Sequence, residues 1–416
     1  MFKIRLAFIT SVIFMLMASS LFPVSAEAEK TLYVGGTMAL TGPYAEDTAA
    51  ELAAFEDYTK YVNETKRMAP WRNEKFPGDI TLEVLWRDDM LMPAKALSIY
   101  EELKAKGMLV YRISASSVAL ALKDRLNADN IGATTMAAGP YLLTPPQTIF
   151  TSYPIYTDNF GAVADWFIEN WKETRKPRVA YLTADNAMGK AMETPELEAY
   201  LKKLGYEFVG IQYVPLVPTT PPTTQLMWLK EKKVDLAIGM MIDPGSQPTI
   251  KEAVRLDMGT RLGSKIAFAF CNSHLEVMMR SMGAELSEGV LMPGDFPPKD
   301  YPCGGIKFLN ELQDRYRQSK KVTHVMYEHG MVEVMIQAEA LRLALQEVPF
   351  EKIKPVDVLK NGFYKIKNFD IGELTNTPLT YGPGNIQGCS AVRLWQAQGG
   401  KMVKLGVWPI RHLYSK

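Results

Sequence analysis

The chain has 416 residues, 47 Lys and Arg against 46 Asp and Glu, and three cysteines. That length exceeds what one hydrophobic core comfortably serves, so two lobes are expected. The near-neutral balance lacks the basic face that a nucleic-acid partner requires, and three cysteines are too few for a disulfide framework.

Residues 1–26 read as a secretory signal. Lys3 and Arg5 precede the uncharged apolar run Leu6–Met17, and Val24-Ser25-Ala26 forms a small-residue cleavage site, with Ala28 as a second. The run is short for a membrane anchor, and no cysteine near the junction could carry a lipid. Cleavage after Ala26 leaves 390 residues (416 minus 26). It moves the balance to 45 basic against 46 acidic side chains, since the segment holds two basic residues and no acidic one. In an oxidising compartment Cys271–Cys389 is the bridge to test, buried free thiols being the alternative.

Leu32-Tyr33-Val34 reads as a buried strand that breaks at Gly35-Gly36. The loop Thr41-Gly42-Pro43-Tyr44 follows, then a helix from Asp47 or Thr48 with Leu52, Phe55, Tyr58 (or Thr59) and Val62 on one stripe. A strand, a hydroxyl-and-glycine loop and a helix is how an open α/β sheet builds a ligand crevice at the carboxyl ends of its strands. Ile80–Trp86 is the next strand. Pro93 opens a helix that runs to about Lys106 and stops at Gly107. Met108–Ile113 is a strand ending in Ser114-Ala115-Ser116-Ser117; Leu120–Leu126 is helical, and Ile131–Thr135 is a short strand.

A second series begins after Tyr153-Pro154. Its helices are expected at about Asn159–Thr174, Thr194–Leu204, Leu226–Lys233 and Ile250–Leu256. Its strands are Arg178–Leu182, Tyr206–Val214, Val234–Met241 and Lys265–Phe270. Strands alternating with helices imply parallel pairing and right-handed crossovers. Two such series predict an α/β fold with two Rossmann-like lobes. Gly305–Arg317 and Tyr327–Gln346 read as further helices, Leu374–Gly388 as a long connection, and Ala391–Trp395 with Met402–Trp408 as a closing hairpin about Gly399-Gly400.

With these segments in order, the chain resembles the type I periplasmic substrate-binding proteins of ABC transporters, in their leucine/isoleucine/valine-binding branch. The resemblance spans essentially the whole mature chain. Its markers are Leu40-Thr41-Gly42-Pro43, Trp86-Arg87-Asp88-Asp89 with Pro93-Ala94-Lys95-Ala96, Ser114–Ser117, Ala180–Gly189 and Val234-Asp235-Leu236-Ala237. It implies two lobes joined by three crossover segments that close on a ligand, near Tyr153, near Met292 and within Thr375–Gly384. The lobes would then be 27–152 with 293–374, and 153–292 with 375–416.

Hydroxyls and N–H groups at Ser114, Ser116 and Ser117 open a helix and suit an anionic head group, although helix capping alone would also explain them. The resemblance adds the Ala138-Gly139 loop to that role and assigns Tyr44, Tyr156 and Met188 to the body of the ligand. Met240 and Met241 point to opposite faces of a strand end, so one of them, taken here as Met241, would reach the cleft. Core packing is the competing role for each methionine. Asp243 or His274 would be the specificity contact. No carboxylate is obvious where the family holds an α-amino group, although Glu276 is close and Asp243 comes from an adjacent strand end, so the expected ligand is branched-chain amino acid-like or, on these cleft residues, a less polar or aromatic carboxylate or amide. The four histidines form no metal-ligand pattern, and G-x-S-x-G, P-loop and G-x-G-x-x-G motifs are absent. The expectation is therefore a monomeric, periplasmic, non-enzymatic receptor without cofactor or metal, serving a membrane permease. A sensory receptor for a membrane signalling partner is the second reading and an exported enzyme the third.

Overall fold

A computed structural model describes residues 30–142, 147–259, 266–294 and 296–414. The expected signal segment, residues 1–26, lies outside the described residues, as does Lys265 at the start of one predicted strand. Two sheets carry the chain. The first has five parallel strands in the order β2-β1-β3-β4-β5: Lys30–Met38 (β1), Ile80–Asp88 (β2), Val110–Ile113 (β3), Gly132–Thr135 (β4) and Ile149–Phe150 (β5). The second has seven strands in the order β12-β11-β10-β9-β8-β6-β7. These are Arg178–Ala184 (β6), Glu207–Val214 (β7), Leu236–Met240 (β8), Ala267–Cys271 (β9), Leu291–Pro293 (β10), Ala391–Gln398 (β11) and Lys401–Pro409 (β12). Strands β6 to β10 run parallel, while β11 and β12 are antiparallel, as the predicted hairpin requires.

One predicted boundary is wrong for an instructive reason. The glycine pair does not break β1, which runs on through Gly35 and Gly36 to Met38 and pairs with β2 as far as Asp88. Both glycines have positive φ, +122° and +144°. A Cβ on Gly36 would lie 2.3 Å from the Arg112 carbonyl oxygen, and one on Gly35 would lie 2.5 Å from that of Leu85. Glycine here lets a central strand pass close between two neighbours rather than ending it. The amide side chain of Gln337 uses that closeness, accepting from the Gly35 N–H at 2.9 Å.

The first helix, Ala45–Thr65, buries Leu52, Phe55, Tyr58, Thr59 and Val62, the stripe its sequence predicts. The 22-residue helix Met326–Glu347 lies against it, with Gly330 where any Cβ would meet the Glu51 backbone. Asp243–Arg255 begins seven residues before the predicted start at Ile250. Pro244 stands in its first turn, where no N–H is needed, and the helix continues past Pro248. Cys271, Cys303 and Cys389 are all buried and none is bridged to another, so the Cys271–Cys389 disulfide is absent.

Candidate functional site

A cavity of about 40 Å³ lies between the carboxyl ends of the two sheets. From the first sheet come Tyr44 after β1, Asp47, Thr48 and Glu51 on the helix that follows, Arg112 in β3, Ser114–Ser116 after it, and Met136 and Ala137 after β4. The second sheet supplies Tyr156, Met188 after β6, Ile242 after β8, and Asn272 and His274 after β9; Met326 completes the wall. Such a crevice, fed by several strand ends at once, is where open α/β sheets hold ligands.

Six of the predicted site residues meet here: Tyr44, Ser114, Ser116, Tyr156, Met188 and His274. They also bridge the two sheets. The Ser116 and Tyr156 hydroxyls are 3.4 Å apart. The Met188 thioether accepts from the Tyr44 hydroxyl at 3.7 Å and from the Asn272 amide at 3.2 Å. Ser114 is already engaged, donating to the buried Asp89 carboxylate.

The other five lie outside the wall. Ser117 sits one residue into the Ser116–Asp129 helix, half-buried. Ala138 is buried in the core, its carbonyl accepting from Tyr156 N–H at 3.1 Å. The Tyr141 ring covers Gly139. Met241 faces the apolar layer behind β8 and packs on Thr249, because successive strand residues point to opposite sides. Asp243 opens its helix and accepts from the His274 N–H at 3.2 Å, behind the wall.

Charged residues that sequence reasoning passed over dominate the cavity's electrostatics. Arg112 is 2% exposed and forms ion pairs with Glu51 and, at 3.0 Å, with Glu333 on the long helix. It also donates to the Thr37 carbonyl at 3.1 Å. His329 Nδ1 lies 2.6 Å from the other Glu51 oxygen. Burial pushes Glu51 up, but Arg112 and His329 outweigh it and hold its carboxyl below the ordinary range. Burial prevails at Glu333, which is raised despite His329 and Arg112. Glu51, His329 and Glu333 bring one ligand atom each within 4.8 Å of one another, the spacing of a metal site. Arg112 already compensates both carboxylates, so the group reads as a buried ion network.

Asp47 is the second finding. Its side chain is 21% exposed, and Oδ1 lies 3.2 Å from His324 Nε2. The Met326 N–H donates to His324 Nδ1 at 3.3 Å, so the proton of a neutral ring sits on Nε2 and points at Asp47. Burial, with His274 and Arg280 adding, drives the His324 pKa down to about 3, so this ring is neutral at neutral pH. Burial raises the Asp47 carboxyl to about 7; His274 opposes that rise, and Asp243, Glu51 and Glu46 add to it. A lone arginine in the apolar run Met108–Ile113, and acids on the buried faces of two helices, are the sequence signals that could have revealed both groups.

Two mostly parallel α/β sheets facing one cavity define a two-lobed binding protein. Residues 31–369 match the family model described as Periplasmic binding protein, and the chain belongs to that family. Among solved structures it is similar to a branched-chain amino acid ABC transporter protein from Thermus thermophilus with bound valine (21% identity, TM-score 0.81, covering 92% of this chain and 98% of that one). It is similar also to a fatty acid ABC transporter substrate-binding protein from Thermomonospora curvata (19% identity, TM-score 0.75, 92% and 93%). A third is an ABC transporter solute-binding protein from Rhodopseudomonas palustris BisB5 in complex with 3,4-dihydroxybenzoic acid (16% identity, TM-score 0.70, 92% and 98%). At these identities the likeness establishes the fold. No curated protein matches the sequence.

Proposed function

We propose that the chain is an exported solute receptor of an ABC importer, acting in the periplasm as a monomer after cleavage near Ala26. It captures one small organic molecule between its lobes and delivers it to a membrane permease. The observation that carries this reading is a cavity walled by strand ends of both sheets. A ligand touching both walls binds the closed arrangement better than the open one, and only such differential contact can drive closure. The Ser116 hydroxyl and the start of the Ser116–Asp129 helix, which lacks a side-chain cap, would take a carboxylate or amide head, while the Ser114 hydroxyl proton is committed to Asp89. Tyr44, Tyr156 and Met188 would hold the body.

The cavity's size supports a hinge. About 40 Å³ holds a few water molecules, so a larger solute would enter only as the lobes part. The lobes would divide as 27–152 with 293–374 and 153–292 with 375–416. Small-angle scattering of the purified protein, with and without a ligand found by thermal-shift screening, tests the reading. The radius of gyration should fall on binding; tight binding at unchanged dimensions would refute the hinge.

A further inference from the structure

The geometry points to Asn272 as the residue that selects the ligand's head group: its side-chain carbonyl accepts from an uncharged N–H, so the solute presents a carboxamide rather than a carboxylate. This inference rests on the receptor reading above and narrows the ligand's chemical class.

Four observations converge. First, Asn272 directly follows β9 and lines the cavity from the second sheet, while Ser116 lines it from the first. Its φ of +66° is left-handed, a conformation that asparagine tolerates better than most side chains. Second, the amide has a set orientation. The Met188 thioether can only accept, so the Asn272 Nδ2 that donates to it at 3.2 Å is held on that side. Third, Oδ1 of the same amide is closed to solvent and receives no donor from the chain. A buried acceptor without a donor is costly, so a solute that brings an N–H to it favours closure of the lobes. Fourth, among the described residues of the wall Arg112 is the one lysine or arginine, and Glu51 and Glu333 take it up. A carboxylate would meet the Oδ1 lone pairs and find no permanent cation in return. A carboxamide instead gives its NH2 to Oδ1 and its carbonyl to the Ser116 end. The Tyr156 hydroxyl, 3.4 Å from Ser116 Oγ and 3.5 Å from Asn272 Nδ2, brings both ends within reach of one head group.

The test measures affinities of matched series by calorimetry on the full mature protein and its Asn272→Gly variant. One series is isovaleramide, 4-methylpentan-2-one and isovalerate; the other is benzamide, acetophenone and benzoate. Each methyl ketone matches its amide in shape but lacks the N–H. Glycine keeps the left-handed backbone and removes the acceptor; a melting curve reports the variant's fold, and the wild-type series decides alone should it unfold. The expected result is that the amide binds about tenfold or more tightly than its ketone and its carboxylate, and that amide and ketone bind Asn272→Gly alike. Mass spectrometry identifies any small molecule released from protein purified without denaturant; it should carry an uncharged N–H and bind Asn272→Gly about tenfold more weakly than wild type. A ketone or carboxylate that binds as well as its amide overturns the role of Asn272 and leaves the receptor reading intact. So does an amide preference that survives in Asn272→Gly, or a released molecule that lacks such an N–H or binds the variant equally. No binding in either series and no released molecule overturns both.

Discussion

Replacing Arg112 with methionine isolates the ion network behind the cavity. Methionine keeps the aliphatic bulk but removes the donors that serve Glu51, Glu333 and the Thr37 carbonyl. Two fully buried carboxylates then face each other without their cation. Removing one partner of a buried ion pair costs about 3–5 kcal/mol, and with two acids stranded the upper part of that range, about 4–5 kcal/mol, is expected. At about 2–4 °C per kcal/mol for a folding unit of this size, the melting temperature should fall by about 10 °C or more at neutral pH. Glu51, held below its ordinary range, contributes stability that is present above the usual carboxylate pKa and lost as the pH falls through its depressed folded value. Glu333, raised, has the opposite sign: its contribution is full at low pH and is lost as the pH rises through its folded value. Acidification protonates the stranded acids, so the gap between wild type and Arg112→Met should narrow. Adding Glu51→Gln and Glu333→Gln to Arg112→Met should recover much of the loss, because the three groups act as one unit. Scanning calorimetry across pH checks each step. A fall of less than about 3 °C at neutral pH would refute the claim that these charges depend on one another.

Gly36→Ala forces a Cβ to 2.3 Å from the Arg112 carbonyl at φ +144° and should cost about 3 kcal/mol or more in urea unfolding. Gly42→Ala, at φ +98° but in open space, should cost about 1 kcal/mol; equal losses would count against the close-approach account. The Asp47 carboxyl, raised by burial to about 7, favours the folded state only while protonated, so that contribution disappears as the pH rises from the ordinary carboxylate range to about 7. Asp47→Asn should therefore melt higher than wild type above neutrality and converge with it in acid; a pH-independent difference would contradict the shift. Thiol titration should find all three cysteines in denaturant and slow reaction in the native protein, since each thiol is buried; a single thiol in denaturant would mean a disulfide.

The alternation of strands and helices was legible in the chain because apolar periodicity and Gly or Pro punctuation are local signals. Pro93 and Gly107 bound their helix, and the Ala45–Thr65 stripe is visible residue by residue. The loops after β1, β3 and β6 could likewise be placed at the crevice, which is how Tyr44, Ser114, Ser116 and Met188 were found. Position in a loop, however, does not determine which way a side chain faces. Ala138 and Met241 lie beside the cavity in sequence and behind its wall in space.

By itself, then, the sequence determined the lobed α/β architecture and the loops that meet between the sheets, since both follow from residue type at short range. Only the tertiary structure decided the cavity's charge. Arg112, Glu51 and Glu333 are separated by up to 282 residues yet form ion pairs at full burial. His324 is 277 residues from the Asp47 carboxylate it holds. Gly35-Gly36 reads as a break when seen alone and becomes a mid-strand necessity once β2 and β3 close on either side. In each case the deciding interaction joins residues that local pattern cannot relate, and it acquires its strength from a burial that exists only when the chain is folded.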